Sequence, residues 1–326
     1  MGQRILITGA TGLVGGEVAR RCVEDGRQTV ALVRQTSDTA ALESLGVERA
    51  VGSLTDAESL RRACEGVTHV VHCAAKVGDW GPVEDYRAVN VGGLKSLLDA
   101  AAAGPLERFV HISSLGVYEA RDHHGTDETE PPNVSGIDGY TLSKAESEAL
   151  VLKRHAEAGL PAVVLRPGFV YGPADQTVVP RIVERLRDGK FAFLGSGDQL
   201  MNNVAARNVA EAVMKALDAP QELEGEVFNV TDSRLVTKQE FIFAVADGMD
   251  LPRPTKHVPL PIAKAVAAVL EKVWRWRGKD TAPLLSQARI KFLGLNLDFS
   301  SKKARERLGY EPVVTFEDAM AEAMAA

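Results

Sequence analysis

A tyrosine and a lysine one helical turn apart are the residues of this 326-residue chain best suited to proton transfer. Tyr140 and Lys144 have the i, i+4 spacing that places two side chains on one face of a helix. A free tyrosine has a pKa of about 10, which is too high for acid–base work at neutral pH. A neighbouring ammonium stabilises the phenolate and lowers this pKa. The pair therefore predicts a catalytic tyrosine, although the same spacing alone also arises by chance.

Two serines end an apolar segment upstream of this pair. Ser113 and Ser114 close the segment that begins at Arg108, which has the composition of a buried strand. In open α/β sheets, ligands bind at the carboxyl ends of the strands. A serine hydroxyl at that edge can hydrogen-bond the substrate oxygen beside Tyr140.

The first residues carry the pattern of a dinucleotide site. The segment Thr8–Gly15 follows an apolar strand, opens a helix and has the spacing G-x-x-G-x-x-G. Gly9 permits the tight turn, Gly12 lets the backbone approach a pyrophosphate, and Gly15 lets the helix pack on the strand. The N-terminus of the helix presents free N–H groups and a positive dipole end to the phosphates. The predicted cofactor contacts in this turn are Gly9, Thr11, Gly12, Leu13, Val14 and Gly15.

The end of the second predicted strand favours NADP over NAD. An NAD site normally has Asp or Glu there to hold the ribose hydroxyls, but this chain has Val33 followed by Arg34. A guanidinium suits a 2′-phosphate, and the missing carboxylate removes a repulsion. The alternative is that Arg34 only stacks on the adenine.

Short apolar segments alternate with amphipathic helical segments through the first half of the chain. This alternation predicts a parallel sheet with right-handed crossovers, which means an α/β Rossmann fold with a doubly wound sheet. A smaller, mostly helical C-terminal substrate domain is expected to follow. We assign residues 1–172 and about 204–231 to the dinucleotide-binding domain, and about 173–203 and 232–326 to the substrate-binding domain.

Two segments frame the catalytic candidates. The polar segment Glu119–Asn133 predicts a loop, because it contains two adjacent histidines, a glycine and a Pro-Pro pair. The segment Gly139–Ala158 predicts the long helix that carries Tyr140 and Lys144.

Composition and charge exclude several classes of protein. The net charge of −6 gives no sign of a nucleic-acid surface. Three cysteines without a Cys-x-x-Cys pair predict no disulfide framework and favour the cytoplasm. We see no signal peptide and no apolar segment of the roughly 18 residues that a membrane span needs. The seven histidines lack metal-ligand spacing, so we expect no metal site.

Together these motifs resemble the extended short-chain dehydrogenase/reductase family, within the NAD-dependent epimerase/dehydratase superfamily. The resemblance rests on Thr8–Gly15, Ser114, Tyr140–Lys144 and Arg166–Pro173, whose order and spacing match over about the first 175 residues. Weaker matches, such as Leu308–Pro312, continue towards the end of the chain. Each motif alone is common, whereas the combination is highly specific.

The resemblance implies a role for each catalytic candidate. Tyr140 would exchange a proton with the substrate hydroxyl or ketone, while Lys144 would lower its pKa and hold the nicotinamide ribose. The family pattern selects Ser114 to position the substrate oxygen, with Ser113 supporting it from behind. Asn90 would support a proton relay, or only make a polar contact within its helix.

The resemblance also implies cofactor contacts after the third, fourth and later strands. One position departs from the family, because Gly-Asp-Leu is usual where this chain has Gly52-Ser53-Leu54. A serine can still hydrogen-bond the adenine. The implied contacts are Ser53, Leu54, Ala74, Ala75, Pro167 and Val170.

The substrate is expected to be bulky and apolar. Nucleotide-sugar members of the family carry an arginine where this chain has Met201, and a methionine suits an apolar ligand. Ala74–Gly81 and Asp175–Pro180 are similar to the 3β-hydroxysteroid dehydrogenase branch, which includes sterol-4-carboxylate 3-dehydrogenases and bacterial 2-alkyl-3-oxoalkanoate reductases. The predicted substrate contacts are Lys76, Trp80, Ser114, Phe169 and Met201.

We therefore predict an oxidoreductase that interconverts a secondary alcohol and a ketone on a steroid, a sterol or a long-chain 3-oxo or 3-hydroxy acid. The alternative is a nucleotide-sugar epimerase, dehydratase or reductase. A third class is a cofactor-sensing regulator, but such proteins typically lack the tyrosine or the lysine.

The segment 261–279 predicts a helix that ends with alternating tryptophans and arginines, Trp274–Arg277. Such an end suits peripheral contact with a membrane, from which a lipid or sterol could be collected. A lid helix over the active site is the alternative. The family resemblance also implies a homodimer formed by the helix after Pro82 and the helix that carries Tyr140.

Overall fold

The computed structural model of the chain describes residues 3–279 and 281–325. Its helices and strands alternate from the first residues onward, as the apolar pattern predicts. The strands are β1 (Arg4–Thr8), β2 (Gln28–Val33), β3 (Glu48–Val51), β4 (His69–His72), β5 (Arg108–Ile112), β6 (His123–Thr126), β7 (Ala162–Pro167), β8 (Phe169–Tyr171), β9 (Phe193–Leu194), β10 (Asn203–Ala205), β11 (Val227–Val230), β12 (His257–Val258) and β13 (Leu297–Phe299).

The α-helices are α1 (Leu13–Glu24), α2 (Ala40–Ser44), α3 (Ala57–Ala63), α4 (Val83–Tyr86), α5 (Leu94–Ala102), α6 (Gly139–Ala158), α7 (Val179–Arg187), α8 (Ala206–Leu217), α9 (Lys238–Gly248), α10 (Leu260–Trp276), α11 (Gln287–Gly294) and α12 (Phe316–Ala325). Two 3₁₀ turns, Leu115–Val117 and Gln221–Leu223, and two π-helical segments, Arg87–Gly93 and Ala304–Leu308, complete the helical structure of the described residues.

Seven strands form one parallel sheet in the order β11-β7-β5-β4-β1-β2-β3. The central strands are apolar and buried on both faces, as Leu6 of β1 and Val70 of β4 illustrate. The chain first builds outward from β1 to β3 and then crosses to the other side of β1 through β4. This reversal leaves a crevice at the carboxyl ends of β1 and β4, which is where ligands bind in such sheets. The predicted Rossmann fold is confirmed.

Helices cover both faces of the sheet. On one face, α1 and α8 bury Val18 and Val213 against the strands. On the other face, α3, α5 and α6 contribute Leu60, Leu97 and Val151. The fully buried apolar layers fix the strand ends in position, so the residues that follow each strand converge on one edge.

A further apolar cluster lies outside the sheet and joins α7, α9 and α12. Its aromatic rings meet edge to face, with the Phe241 ring centroid 5.6 Å from that of Tyr171. A smaller cluster joins α10 and α11 through Ala263 and Ile290. The C-terminal part of the chain is thus mostly helical, while the exact domain boundaries stay a prediction.

Two parts of the secondary structure differ from expectation. The predicted loop Glu119–Asn133 contains β6, which pairs in parallel with β13. The prediction was wrong there because β6 is polar, and apolar periodicity gives no signal for such a strand. The helix expected after Pro82 is interrupted by the π-helical segment Arg87–Gly93, and this wider turn contains Asn90.

Helix α10 is the helix with the most exposed apolar side chains. Ile262, Val269 and Trp276 are 55%, 61% and 84% exposed, respectively. None of the helices within residues 3–279 and 281–325 is both long and apolar enough to cross a membrane.

Candidate active site

The glycine turn after β1 is built so tightly that two of its glycines cannot carry a side chain. Gly9 has a φ of +72°, and a Cβ there would lie 2.8 Å from the backbone nitrogen of Ala74. A Cβ on Gly15 would lie 2.2 Å from the carbonyl oxygen of Gly9. The helix therefore packs directly on the turn, as the glycine spacing predicts.

Gly12 differs from its two neighbours in the motif. The atom nearest to a Cβ on Gly12 would be Gly9 O at 3.4 Å, so the space above Gly12 is open. Gly12 is also the N-cap of α1, where no side chain caps the helix and no acidic residue lies in the first turn. Free N–H groups and a positive dipole end face this open space. The turn fits a dinucleotide pyrophosphate, with Thr11, Leu13 and Val14 around it.

The residues expected near the adenine end lie along the neighbouring strand ends. Arg34 follows β2 and is exposed, and no carboxylate of the described residues forms an ion pair with it. The Ser53 hydroxyl lies 3.0 Å from that of Thr55, so it is held at the end of β3. Leu54 is buried against Gly93. Ala74, on the adjacent strand end, donates its N–H to the Thr8 hydroxyl at 3.2 Å.

Tyr140 lies in the first turn of α6, which begins where the sequence predicts. The Asp138 carboxylate caps this helix by accepting from the Thr141 N–H at 2.8 Å. Burial raises the pKa of Tyr140 to about 12, and a hydrogen bond with the Ser114 hydroxyl opposes this rise. Ser114 and Tyr140 therefore lie near each other at the carboxyl edge of β5.

Lys144 is one turn further along α6 and is 4% exposed. Burial lowers its pKa to about 8, against the opposing effects of Cys73 and Glu148. Its Nζ donates to the carbonyl oxygen of Ile112 at the end of β5. The spacing of Tyr140 and Lys144 predicts a lowered tyrosine pKa, but in the structure this pKa is raised. Desolvation of the tyrosine dominates, and the Lys144 ammonium is directed to a backbone carbonyl instead.

The Ser114 hydroxyl has a fixed orientation. Its oxygen accepts the N–H of Gly116 at 3.0 Å, which leaves its own proton free to be donated. The neighbouring Ser113 hydroxyl points the other way and donates to Glu148 at 2.7 Å. The two serines therefore have different roles, one towards Tyr140 and one towards the interior.

Asn90 connects the segment after β4 to the catalytic helix. Its side-chain amide pairs with the backbone of Lys76, accepting from the N–H at 2.7 Å and donating to the carbonyl at 3.0 Å. It also donates to Ser143 Oγ at 2.9 Å. Ser143 Oγ in turn donates to the carbonyl oxygen of Tyr140 at 2.9 Å. The Asn90 side chain therefore holds the Lys76 backbone directly and reaches the Tyr140 backbone through the Ser143 hydroxyl.

The predicted substrate contacts fall into two groups. Lys76 and Trp80 lie in the segment after β4, where the Lys76 ammonium pairs with Asp85 at 2.8 Å. Phe169 and Met201 belong to one apolar cluster, the one that lies outside the sheet and joins α7, α9 and α12. Pro167 and Val170 frame Phe169 at the end of β7 and the start of β8.

Met201 lines an apolar cavity of about 20 Å³ between α9 and α11. Phe292 of α11 closes the cavity and lies with its ring centroid 4.8 Å from that of Phe169. Lys238 is the charged residue of its wall, and burial lowers the pKa of this lysine to about 7. Sequence reasoning missed Phe292 and Lys238, because both lie on short helices without a recognisable motif.

A family model described as the NAD dependent epimerase/dehydratase family matches residues 5–231. The chain belongs to this family. The match begins in β1 and ends just after β11, so it spans the parallel sheet, the glycine turn, Ser114 and the Tyr140–Lys144 pair. The predicted family is confirmed.

Curated relatives within this family are oxidoreductases. The chain is 30% identical to a 2-alkyl-3-oxoalkanoate reductase of Shewanella oneidensis, over 96% of this chain and 84% of that protein. It is also 30% identical to a 3-beta-hydroxysteroid dehydrogenase of Mycolicibacterium neoaurum, over 98% and 90% of the two chains. The predicted enzyme class is confirmed: the chain is a nicotinamide-dependent oxidoreductase that acts on CH–OH groups.

Solved structures share the fold over the whole chain. The crystal structure of gox2253 has a TM-score of 0.84 and 31% identity, and the match covers 99% of this chain and 97% of that one. A UDP-glucuronic acid 4-epimerase of Bacillus cereus has a TM-score of 0.78 at 20% identity, over 99% and 98% of the two chains. At 20% identity, the match to the epimerase shows a shared fold and nothing more.

A buried charged network behind the family's catalytic serine was not foreseen. Arg166 of β7 and Glu148 of α6 form an ion pair whose side chains are 3% and 1% exposed. Arg166 also donates to the Tyr118 hydroxyl at 2.6 Å, and Tyr118 donates to the side chain of Asn229 at 3.0 Å. An arginine in an otherwise apolar strand was the one available signal.

Among the described residues, no group of three His, Cys, Asp or Glu could hold a metal ion.

Proposed function

We propose that this oxidoreductase interconverts a secondary alcohol and a ketone on a bulky apolar substrate, with Tyr140 as the proton donor and acceptor. The observation that carries the proposal is the placement of the Ser114 and Tyr140 hydroxyls beside each other at the carboxyl edge of β5, near enough for the serine to oppose the rise in the tyrosine pKa. Two hydroxyls at one place are what a carbonyl oxygen needs as its charge develops during reduction. The names of the relatives, a 2-alkyl-3-oxoalkanoate reductase and a 3-beta-hydroxysteroid dehydrogenase, support this substrate class.

Each side chain has a stated task in this proposal. The bound nicotinamide supplies or accepts the hydride. Ser114, whose oxygen already accepts the Gly116 N–H, donates its proton to the substrate oxygen and fixes its position. The Tyr140 hydroxyl transfers the proton to or from that oxygen. Lys144 holds the nicotinamide ribose, and Asn90 holds the Lys76 backbone beside the site.

The cofactor is proposed to be NADP rather than NAD. Arg34 is exposed beyond the end of β2, where the 2′-substituent of the adenosine ribose would lie, and it has no acidic partner among the described residues. An unpaired guanidinium suits a phosphate in bidentate fashion. Ser53 would contact the adenine through its hydroxyl, while Pro167 and Val170 would line the nicotinamide carboxamide.

The apolar wall formed by Phe169, Met201 and Phe292 favours a steroid, sterol or long-chain 3-oxo acid over a nucleotide sugar. A diphosphate needs cations to replace its water, and the position where sugar-active members carry arginine is the buried Met201. We assign the walls of this substrate site to residues 173–203 and 232–326. Lys76 and Trp80 would close it from the side of β4.

Three further proposals concern the surroundings of the enzyme. The exposed stripe of α10 contacts a membrane surface, where an apolar substrate is collected, and the enzyme itself resides in the cytoplasm. The helical segment after Pro82 and α6 form the interface of a homodimer. The first of these proposals rests on the exposed Ile262, Val269 and Trp276.

The test is a turnover assay of the full chain with NADPH and NADH against a 2-alkyl-3-oxoalkanoate, a 3-oxosteroid and a UDP-sugar. We expect turnover of at least one apolar ketone and a loss of more than about 100-fold in Tyr140→Phe. Full turnover by the Tyr140→Phe variant would contradict the proposal. Turnover of the UDP-sugar alone would replace it with the epimerase or dehydratase alternative.

A further inference from the structure

Helix α11 contacts the segments that follow three different strands of the sheet. Arg289 pairs with Asp79, in the segment after β4, at 2.6 Å. Phe292 packs against Phe169, which follows β7. Between them, Lys291 extends to the turn that follows β5 and carries Ser114. One short helix from the C-terminal part of the chain therefore contacts every strand end that bears a predicted substrate contact.

Lys291 is 8% exposed and is fully engaged with this turn. Its ammonium donates to the carbonyl oxygen of Gly116 at 2.7 Å and to the carbonyl oxygen of Tyr118. A buried ammonium is costly unless its protons are used. Gly116 belongs to the 3₁₀ turn Leu115–Val117, and Tyr118 directly follows this turn. The lysine therefore binds both the middle and the end of the turn.

The same turn holds the Ser114 hydroxyl. The Gly116 N–H donates to Ser114 Oγ at 3.0 Å, while the Gly116 carbonyl accepts from Lys291. The two peptide groups flank one Cα atom, and this Cα belongs to a glycine, the residue with the softest backbone. The N–H groups of Val117 and Tyr118 hold the turn through bonds to earlier carbonyls. Lys291 adds the bond to the Gly116 carbonyl, and its loss would let the Gly116 peptides rotate more freely beside the serine.

Lys291 also faces the start of the catalytic helix. The carboxylates that favour its charged form are those of Asp138, the N-cap of α6, and Glu119. Gly116, Thr141 and Lys291 lie together where the turn meets the helix. The lysine is thus placed between the two segments that carry Ser114 and Tyr140.

We propose that Lys291 is a positioning residue that orients the Ser114 hydroxyl towards the substrate oxygen by clamping the Gly116 and Tyr118 carbonyls. This inference rests on the proposed function, since it gives Lys291 its effect through Ser114. Through this lysine, α11 is linked to the turn that carries Ser114. The next residue of α11, Phe292, lines the apolar cavity. Seating of an apolar substrate against α11 and correct placement of the serine therefore depend on the same helix.

The experiment is a double-mutant cycle in the full-length holoenzyme, with Lys291→Met, Ser114→Ala and both together. We expect Lys291→Met to lower kcat about 10- to 100-fold, because small misplacements of a catalytic group have effects of this size. The KM for NADPH is expected to stay within about twofold. In the Ser114→Ala background, Lys291→Met is expected to change kcat by less than about threefold, because the serine through which it acts is gone. Equal losses in both backgrounds would overturn the proposal.

Two variants separate positioning from folding. Lys303→Met removes another lysine that donates to a backbone carbonyl, that of Val227 at the start of β11, far along the chain from the turn. It should lower stability without lowering kcat. Lys291→Arg keeps the donors and should recover at least part of the kcat lost in Lys291→Met.

Amide hydrogen exchange supplies a readout that needs no substrate. Exchange at Gly116, Val117 and Tyr118 should accelerate in Lys291→Met and stay unchanged in Lys303→Met. If the wild-type enzyme turns over no ketone or alcohol, the proposed function fails, and the exchange result still decides whether Lys291 holds the turn. Unchanged exchange in Lys291→Met would overturn the inference whatever the activity.

Discussion

Ser113 Oγ lies 2.7 Å from Glu148 Oε2, directly behind the serine that faces Tyr140. Through this bond the turn that follows β5 is joined to the buried Glu148–Arg166 ion pair and so to α6 and β7. The pair has almost no contact with solvent, so its charges are balanced by each other, by a few neutral hydrogen bonds and, for Glu148, by the nearby Lys144 ammonium. The strand end that carries Ser114 therefore depends on an electrostatic balance in the interior.

Neutralising one member of this pair should be strongly destabilising. Glu148→Gln leaves the Arg166 guanidinium buried without a counter-charge, and breaking a buried pair in this way costs about 3–5 kcal/mol. We expect a loss of this size in the free energy of unfolding, measured by urea denaturation. Asp247→Asn removes the partner of Arg253 in an ion pair whose side chains are 51% and 56% exposed, and its effect on stability should be much smaller than that of Glu148→Gln, because solvent screens an exposed pair. Equal effects of the two variants would contradict this account.

Lys144 should destabilise the fold at neutral pH. Its folded pKa is lowered to about 8 by burial, below the 10.5 of a free lysine. The folded state therefore releases its proton before the unfolded state does, and stability rises with pH between these values. Lys144→Met lacks this dependence, so it should be more stable than the wild type at pH 7, by more than about 1 kcal/mol. The advantage should shrink by pH 10.

Urea denaturation of both proteins at pH 7 and pH 10 checks this prediction, with turnover measured on the same samples. We expect Lys144→Met to be more stable and inactive, which is the usual trade-off at a functional site. If the difference in stability between the wild type and Lys144→Met is the same at both pH values, burial does not lower the pKa of Lys144.

Arg34 should decide between the two nicotinamide cofactors. Arg34→Ala removes the cation proposed for the 2′-phosphate, so the KM for NADPH is expected to rise about 10- to 100-fold while the KM for NADH changes little. Initial-rate kinetics with both cofactors measure the ratio. Arg49→Ala, on β3, removes an arginine that is already paired with Glu43 and serves as the control. A preference for NADH in the wild-type enzyme would refute the proposed cofactor.

Local features of this chain were predictable, whereas contacts between distant segments were not. The glycine turn and helix α6 depend on neighbours within a few residues, so their patterns are visible in the sequence. Lys291 is 175 residues from Gly116, whose carbonyl it holds, and no periodicity connects two such positions. The partners of Asn90 depend on a π-helical turn, and the strand β6 is polar. In each case the determining partner is set by tertiary packing.

The exposed stripe of α10 should bind anionic membranes. Val269 and Trp276 are largely exposed, and five basic residues but only one acidic residue lie between positions 260 and 279. An apolar stripe flanked by cations binds anionic headgroups and inserts its large side chains at the interface. Val269→Ser combined with Trp276→Ser should therefore weaken binding to vesicles that contain phosphatidylserine by about tenfold or more in a flotation assay.

Val313→Ser is the matched control, since Val313 is 57% exposed but lies outside α10. Binding should also weaken as salt is raised, because the cations contribute through a screened attraction. If the wild-type protein binds no vesicles while the α10 double variant loses turnover, α10 acts as a lid over the apolar site rather than as a membrane contact. Trp80, whose indole N–H donates to the Lys279 carbonyl at 2.8 Å just beyond this helix, would then be the side chain that holds the lid closed.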